Sequence, residues 1–420
     1  MPAPAAVHMS GVAVVIPNWN GREHLRTCLS SLSVGDRADE IIVIENGSSD
    51  GSMEMVRADF PNVMVIPNET NRGFAAACNQ GAAAASADFV AFLNNDARVA
   101  ADWLAPLLHM LEEQPDAAAV GSLVLAWDGK TVDSGRSGLT PLVRGIQLDF
   151  GIPAGDAPHE SSEQLFANGA AMLVRRDVFL QVGGFDERFF AYYEDVDFGW
   201  RLWLLGWRVL LEPASRVFHR HHGTSRRLGR DRINFLLTRN AIATAVKNVD
   251  DQTFAALVPV LLLDESARLA SGLGPPEHLH ASGFEPFAFH QSQTSPLAGR
   301  AREALGATAR SVYQRDTTAR TRVARALVRL IDPASSVVTS AAQVSVAALD
   351  EVLWGWPDLL AARAAIQAKR KRSDHEIAHL FGLEAQRRRR RRDAISPDET
   401  REAVFRALEA ANLGWLLPRA

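Results

Sequence analysis

Short apolar runs at residues 12–16, 40–44, 63–66 and 89–93 alternate with amphipathic, alanine-rich segments at 22–32, 52–59, 74–85 and 103–113. Runs of four or five apolar residues suit strands covered on both faces, whereas the intervening segments space their apolar residues as helices do. The alternation predicts an α/β fold, a parallel sheet flanked by helices. In such sheets ligands collect beyond the carboxyl ends of the strands. The residues expected there are Pro17-Asn18, Glu45-Asn46-Gly47-Ser48-Ser49-Asp50, Asn71-Arg72-Gly73-Phe74 and Asn94-Asn95-Asp96.

Each of these segments also has a plain reading. Asn46-Gly47 suits a bend and Asp50 a helix cap, Asn71-Arg72-Gly73 suits a turn with a cap, and Asn94-Asn95-Asp96 suits a loop with a cap. A turn explains Glu45 poorly. Independent turns also have no reason to gather two carboxylates and an arginine along one sheet edge, so a ligand-binding edge is the stronger expectation. The first loop, Asn18-Trp19-Asn20-Gly21, carries one glycine and lacks the dinucleotide fingerprint, which argues against an NAD enzyme.

A second concentration of chemistry is Ala191-Tyr192-Tyr193-Glu194-Asp195-Val196-Asp197, three carboxylates placed just before an apolar helix. Carboxylates are seldom left against a core unless they are paired, hydrogen-bonded or bound to metal. Two readings stand: a helix start in which Glu194 and Asp195 complement the helix dipole and Asp197 pairs with Arg201, or a catalytic cluster.

The composition, 47% hydrophobic and 22% charged over 420 residues, is that of a globular protein with room for a large domain and a smaller one. The net charge of −4 conceals basic runs at 369–372 and 387–392, an end suited to something acidic. Cys28 and Cys78 fall in expected helices without metal-ligand spacing, as in a reducing compartment. Residues 1–9 do not read as a signal peptide, and the longest apolar candidate, 254–263, is too short to cross a bilayer and contains Pro259. No basic stripe with interleaved aromatics suggests nucleic acid.

In order along residues 12–225, the chain carries Val15-Ile16-Pro17-Asn18-Trp19-Asn20, Ile44 through Gly51, Asn71-Arg72-Gly73-Phe74 with Asn79, Phe92 through Asp96, Asn168 through Met172, Gly183-Gly184-Phe185-Asp186, Tyr193-Glu194-Asp195, and His219 through Ser225. With these motifs it resembles the family-two inverting glycosyltransferases of GT-A fold, especially bacterial rhamnosyltransferase-like and galactofuranosyltransferase-like members. The resemblance implies a Rossmann-like mixed sheet flanked by helices, with a helical C-terminal extension. It places Glu45 on the donor's nucleobase, with Pro17, Asn18, Asn46 and Arg72 lining the nucleotide pocket. Asn94-Asn95-Asp96 stands where the family carries an Asp-x-Asp metal motif, which makes Asp96 the metal ligand and puts Asn94 and Asn95 on the donor. His219, delivered by a strand at 216–218, completes the metal site, with His221 and His222 as alternates or as a basic loop gripping phosphate. Asn168 and Gly169 lie against the donor sugar. Asp195 is the general base, Glu194 contacts the acceptor, Asp197 pairs with Arg201, and Asp186 either touches the acceptor or closes a turn.

The implied cofactor is Mg2+ or Mn2+, and the implied partners are a UDP- or dTDP-linked sugar and a glycan or polyprenyl-linked acceptor. The expected location is cytoplasmic, with peripheral association at the inner membrane face through the basic C-terminal region and residues 415–417. A non-catalytic sugar-nucleotide-binding protein and a sugar-nucleotide hydrolase are the competing functions. Three regions are expected: a flexible 1–10, a catalytic 11–250, and a helical 251–420. After residue 226, helices are expected at 231–248, 252–269, 301–331 and 340–372, around a loop or linker at 271–295 rich in Gly, Pro and His.

Overall fold

The protein is seen in a computed structural model that describes residues 11–35, 38–140, 142, 144–220, 228–258, 260–261, 340–381, 409 and 413. The expectations for 1–10, His221 and His222, the 271–295 linker, the 301–331 helix, the 387–392 run and residues 415–417 lie outside the described residues, as does half of the expected 252–269 helix.

The strands are β1 (Val12–Asn18), β2 (Glu40–Asn46), β3 (Met64–Asn68), β4 (Phe89–Leu93), β5 (Ala97–Val99), β6 (Ala117–Ala126), β7 (Val132–Ser134), β8 (Ser137–Leu139), β9 (Gly145–Gln147), β10 (Ser162–Glu163), β11 (Ala171–Arg175) and β12 (Arg208–His219). The helices are α1 (Arg22–Leu32), α2 (Ser52–Asp59), α3 (Phe74–Ala84), α4 (Leu104–Glu113), α5 (Arg176–Gln181), α6 (Glu194–Leu204), α7 (Arg230–Asn248), α8 (Ser340–Trp354), α9 (Trp356–Gln367) and α10 (Asp374–Ile377). All eight elements expected over 12–113 are present. The strands β1 and β2 run two residues further than their apolar runs, because backbone pairing continues through Pro17-Asn18 and Glu45-Asn46. The segment expected to be helical over 340–372 is two helices broken at Gly355, where Pro357 starts the second, and residues 368–372 lie beyond its end.

The main sheet runs β10-β12-β6-β11-β4-β1-β2-β3, with β5 added to β12 and β7 to β6. Parallel pairing holds for β3, β2, β1 and β4, whereas β11 lies antiparallel between β4 and β6. The sheet is therefore mixed. Because β12 is parallel to β6, the carboxyl ends of β1, β2, β4, β6 and β12 share one edge.

One sheet face packs on α1 and α4, where Leu25, Cys28, Leu29 and Leu32 form the inward stripe of α1. On the other face α3 is built from small residues, and a Cβ added at Gly81 would meet Val15 at 2.3 Å, so glycine sets the close approach of helix to strand. Beside it Phe92, Phe179, Phe185 and Phe198 stack with centroids 5.0–5.4 Å apart. Each buried ring contributes roughly 1.5–3 kcal/mol by leaving water, and together they seat α6. That helix is buried on every side from Val196 to Leu204. Its Arg201 pairs with buried Asp197 at 2.8 Å and donates to the carbonyls of Val182 and Gly184, so the pair is hydrogen-bonded throughout, as burial demands.

The described part of the run at 369–372, expected to face something acidic, is used inside the fold. Arg372 donates to the carbonyls of Gly206 and Trp207 just beyond α6 and lies 5.0 Å over the Trp203 ring. Arg370 pairs with buried Asp374, and the Lys371 amide donates to the Leu204 carbonyl. Two compact units result: 1–140 with 144–227 and 369–386, and 141–143 with 228–368 and 387–420. In that division α7 groups with the second unit and 369–386 with the first. Among the described residues no helix is long and apolar enough to cross a membrane.

Candidate active site

At the shared strand edge, β1, β2 and β4 bring Asn18, Glu45 and Asn95 into one buried chain. The Asn95 amide donates to Asn18 Oδ1 at 2.6 Å, and Asn18 donates to Glu45 Oε2 at 2.8 Å. Ser48 holds the other Glu45 oxygen and accepts from the Asn20 amide. A Cβ at Gly21 would fall 2.2 Å from the Asn95 side chain, so this crowding demands glycine there. Asp50 accepts from the backbone amides of Arg22 and Ser52, tying the starts of α1 and α2 together.

Asn46 and Arg72 stand differently from their neighbours. Asn46 accepts from the amides of Asn68 and Arg72 and donates to Asn71 Oδ1 and the Gly73 carbonyl. Its donors and acceptor are thereby filled, and it holds the 71–73 turn rather than offering a free group. Arg72 is half exposed, with its guanidinium 3.8 Å from Glu187. The two flank a cavity of about 460 Å³, also lined by Asn79, Gln80, Phe179 and Gly184. Asn79 ties α3 to the 185–187 segment, and Asp186 accepts from the Arg188 amide, as the turn reading of it expects.

The register of β12 on β5 sets His219 opposite Ala97, next to Asp96. Its Nε2 lies 3.1 Å from Asp96 Oδ1 and 3.2 Å from the Asn94 amide nitrogen, and its Nδ1 lies 2.7 Å from Asp133 Oδ2. Burial pushes the imidazole down, but hydrogen bonds to Asp133 and Asp96 and the charges of both raise it to about 10. Asp133, in β7, is a site residue that the sequence reading missed, and no spacing in the chain signals it. With Nδ1 held by Asp133, a cation beside the Asp96 carboxylate would have to displace the proton from Nε2 to take that nitrogen as a ligand. One carboxylate oxygen and one imidazole nitrogen suit magnesium or manganese with positions left for substrate oxygens. Among the described residues no set of three or more His, Cys, Asp or Glu side chains is placed to hold a metal ion. Cys28 is buried beneath, with its thiol directed at the Asn94 carbonyl and pushed far up by burial.

The acid cluster enters α6 through a loop in which Phe190, Tyr192 and Tyr193 have φ of 65°, 69° and 71°. Left-handed backbone at non-glycine residues costs about 1–3 kcal/mol each and persists only where the surroundings hold it. Here the Phe190 carbonyl accepts from the amides of Phe74 and Ala75 at the start of α3, and the Tyr193 hydroxyl accepts from the Gly145 amide. The two acids differ in setting. Asp195 is partly exposed, and its carboxylate accepts from the amides of Gly169 at 3.0 Å and Val196 at 2.8 Å. Burial raises its pKa, and those amides oppose the shift. Glu194 is 6% exposed, and its Oε2 has no hydrogen-bond partner. Burial and the neighbouring Asp195 charge push it well above the ordinary carboxylate range. Asn168 accepts from the Ala170 amide, and Ala170 accepts from the Asn94 amide, so the loop holding Asp195 is knitted to the turn holding Asp96.

Residues 13–181 match the family described as glycosyl transferase family 2. Over 243 residues the chain is 33% identical to an N-acetylglucosaminyl-diphospho-decaprenol L-rhamnosyltransferase of Mycobacterium tuberculosis, covering 51% of this chain and 77% of that one. It is also 33% identical over 217 residues to a pre-mycofactocin glycosyltransferase of the same species, covering 50% of this chain and 43% of the relative. The fold matches GalNAc-T7, solved with UDP, GalNAc and Mn2+, at a TM-score of 0.50 and 18% identity, spanning 61% of this chain and about half, 51%, of that one. The mixed sheet, the strand-edge motifs and these likenesses agree that the chain belongs to glycosyl transferase family 2 and is a nucleotide-sugar glycosyltransferase.

Proposed function

We propose that the enzyme moves a sugar from a pyrimidine nucleoside diphosphate to a hydroxyl of a polyprenyl-diphosphate-linked glycan, inverting the anomeric carbon, in the synthesis of a cell-wall or surface polysaccharide. The observation that carries this reading is the division of labour in the acid pair. A reachable Asp195 is oriented by two backbone amides, while Glu194 behind it is buried with an unpartnered oxygen. The acceptor class follows the similarity to the decaprenol-linked rhamnosyltransferase.

Asn18 and Ser48 orient the Glu45 carboxylate to accept from a pyrimidine ring N–H. Asp96 and His219 would hold Mg2+ or Mn2+, with Asp133 fixing the imidazole. Such a cation offsets the negative charge that grows on the leaving diphosphate. Asn94, Asn95, Asn168 and Gly169 border the space for the donor sugar. Asp195 takes the proton from the acceptor hydroxyl as its oxygen attacks the anomeric carbon, and one base suffices for a direct displacement. Glu194 stays protonated and leaves Asp195 as the ionised member of the pair. Glu194 thus supports the base from behind rather than gripping the acceptor.

The test is product analysis on a panel of UDP-, dTDP- and GDP-sugars with manganese, with and without a polyprenyl-diphosphate glycan. Glycosylated acceptor with inverted anomeric configuration is expected. Free sugar as the sole product would establish the hydrolase instead, and retained configuration would remove Asp195 from the role of single base.

A further inference from the structure

Phe74 is an aromatic side chain that the proposed reaction does not use. It starts α3 from a tight mount. Its amide donates to the Phe190 carbonyl at 2.6 Å, and a Cβ added at Gly73 would fall 2.5 Å from that oxygen, so the helix start is pressed against the loop leading to the acid pair. The ring stands at the margin of the aromatic cluster. Phe92, Phe179, Phe185 and Phe198 are at most 1% exposed, whereas Phe74, 6.4 Å from Phe185 between ring centres, is partly exposed.

The far edge of this ring lies against the loop that orients Asp195. A Cβ added at Gly169 would meet Phe74 Cε1 at 3.4 Å and Cζ at 3.6 Å, and the Asp195 Cβ at 3.7 Å. Ring edge and acid thus flank one backbone position, whose amide donates to the Asp195 carboxylate at 3.0 Å. Asp195 is itself partly exposed. Cys78, one turn on along the same face of α3, lies beside Glu194, so this face of the helix borders both acids. Much of the neighbouring strand edge is polar, from Asn18, Glu45, Asn94 and Asp96, and the ring gives the acid pair an apolar flank.

That combination selects a ligand. A molecule that covers the ring and hydrogen-bonds the carboxylate beside it has to be apolar on one face and hydroxylated at its rim. A sugar ring is built so. Its C–H bonds, polarised by the attached oxygens, turn slightly positive hydrogens towards the negative π face, and the contact takes apolar surface out of water. The mount holds the aromatic ring in place before the ligand arrives, which lowers the ordering cost of binding.

We propose that Phe74 is the platform on which the C–H face of a sugar ring lies beside Asp195. The two sources of that sugar are the nucleotide-sugar donor and the glycan acceptor. The proposal rests on the glycosyltransferase reading for its ligand, but not on Asp195 being the base.

The test is calorimetric titration of the full-length enzyme with manganese, comparing each sugar-bearing probe with its sugar-free counterpart. One arm sets UDP-, dTDP- and GDP-sugars against UDP, dTDP and GDP, and the other sets a micellar polyprenyl-diphosphate glycan against polyprenyl diphosphate. Phe74→Ala is expected to weaken the sugar-bearing probes of one arm by about tenfold while their counterparts bind as before, the effect of losing one apolar contact face. Phe74→Tyr keeps the ring face and should stay within about twofold of wild type, and Phe74→Leu, which fills the space without a flat face, should fall between. A loss in the nucleotide-sugar arm assigns the donor, and a loss in the glycan arm assigns the acceptor. An unchanged sugar contribution in both arms for Phe74→Ala and Phe74→Leu overturns the platform. A loss shared equally by the sugar-free probes, or one as large in Phe74→Tyr, overturns it too. Where Phe74→Ala melts below the wild type, Phe74→Leu decides. Turnover of Asp195→Asn reads the base separately. Normal turnover there beside a loss in Phe74→Leu refutes the base alone, and lost turnover beside unchanged binding in Phe74→Leu refutes the platform alone.

Discussion

Replacing Glu194 with Gln tests the division of the acid pair through stability, independently of turnover. The side chain is 6% exposed, its Oε2 lacks a partner, and burial and Asp195 raise its pKa well above the ordinary value of 4.5. A carboxyl whose folded pKa lies above its unfolded one contributes stability that is full below the unfolded pKa. That contribution is lost as pH rises towards the folded pKa, because the unfolded chain releases the proton first. Glutamine has nearly the same shape and does not titrate. The stability of Glu194→Gln relative to wild type should therefore be least favourable near pH 4 and should improve above it, by at most about 1.4 kcal/mol per pH unit. Between pH 5 and 7 the ceiling is roughly 2.7 kcal/mol, and sharing of the titration with Asp195 lowers it. Urea unfolding of both proteins in EDTA from pH 4 to 8 measures the difference directly. A flat difference, or one that moves in favour of the wild type as pH rises, would show Glu194 ionised and paired in the native protein, and the assignment of the two acids would fail.

Other variants bear on the same site. Asp195→Asn keeps the geometry at Gly169 and is expected to retain donor binding while transfer falls by about 10²–10⁴-fold, the usual contribution of a general base; near-normal turnover would remove Asp195 from the role. Asp96→Ala should abolish the metal dependence of donor affinity, and a donor titration unaltered by both the variant and chelator would relocate the metal site. For Asp133→Asn, manganese titration followed by electron paramagnetic resonance should show affinity about 10–100-fold weaker, as for lost partners of metal-bound histidines, with donor-free folding intact. Affinity within twofold of wild type would make Asp133 a bystander.

Much of this site was legible because its motifs are local. Glu45, Asn95 and Asp96 follow apolar runs whose length and spacing mark strands, and strand ends in an α/β sheet face the ligand edge. The Asp197–Arg201 pair was legible for the same reason, since four residues on a helix bring side chains together. Asn46 shows the limit of such reading. Its motif marks it as part of the donor site, but only the packed turn at 71–73 shows that its side chain is fully engaged in holding that turn. The basic run at 369–372 had the composition of an exposed patch, yet Arg372 spends its donors on the carbonyls beyond α6.

Patterns a few residues long thus determined the strand and helix sequence over 12–113, the polar edge and the family to which it belongs. Tertiary structure alone decided which charges meet. His219 finds Asp133 86 residues away and Asp96 123 residues away, through the register of β12 against β5 and of β7 against β6. It also set the two adjacent acids apart, because burial of Glu194 beside Cys78 and partial exposure of Asp195 beside Gly169 depend on α3 and the 168–170 loop, both remote in the chain. Periodicity is a property of neighbours along the backbone, whereas desolvation and charge pairing are properties of neighbours in space.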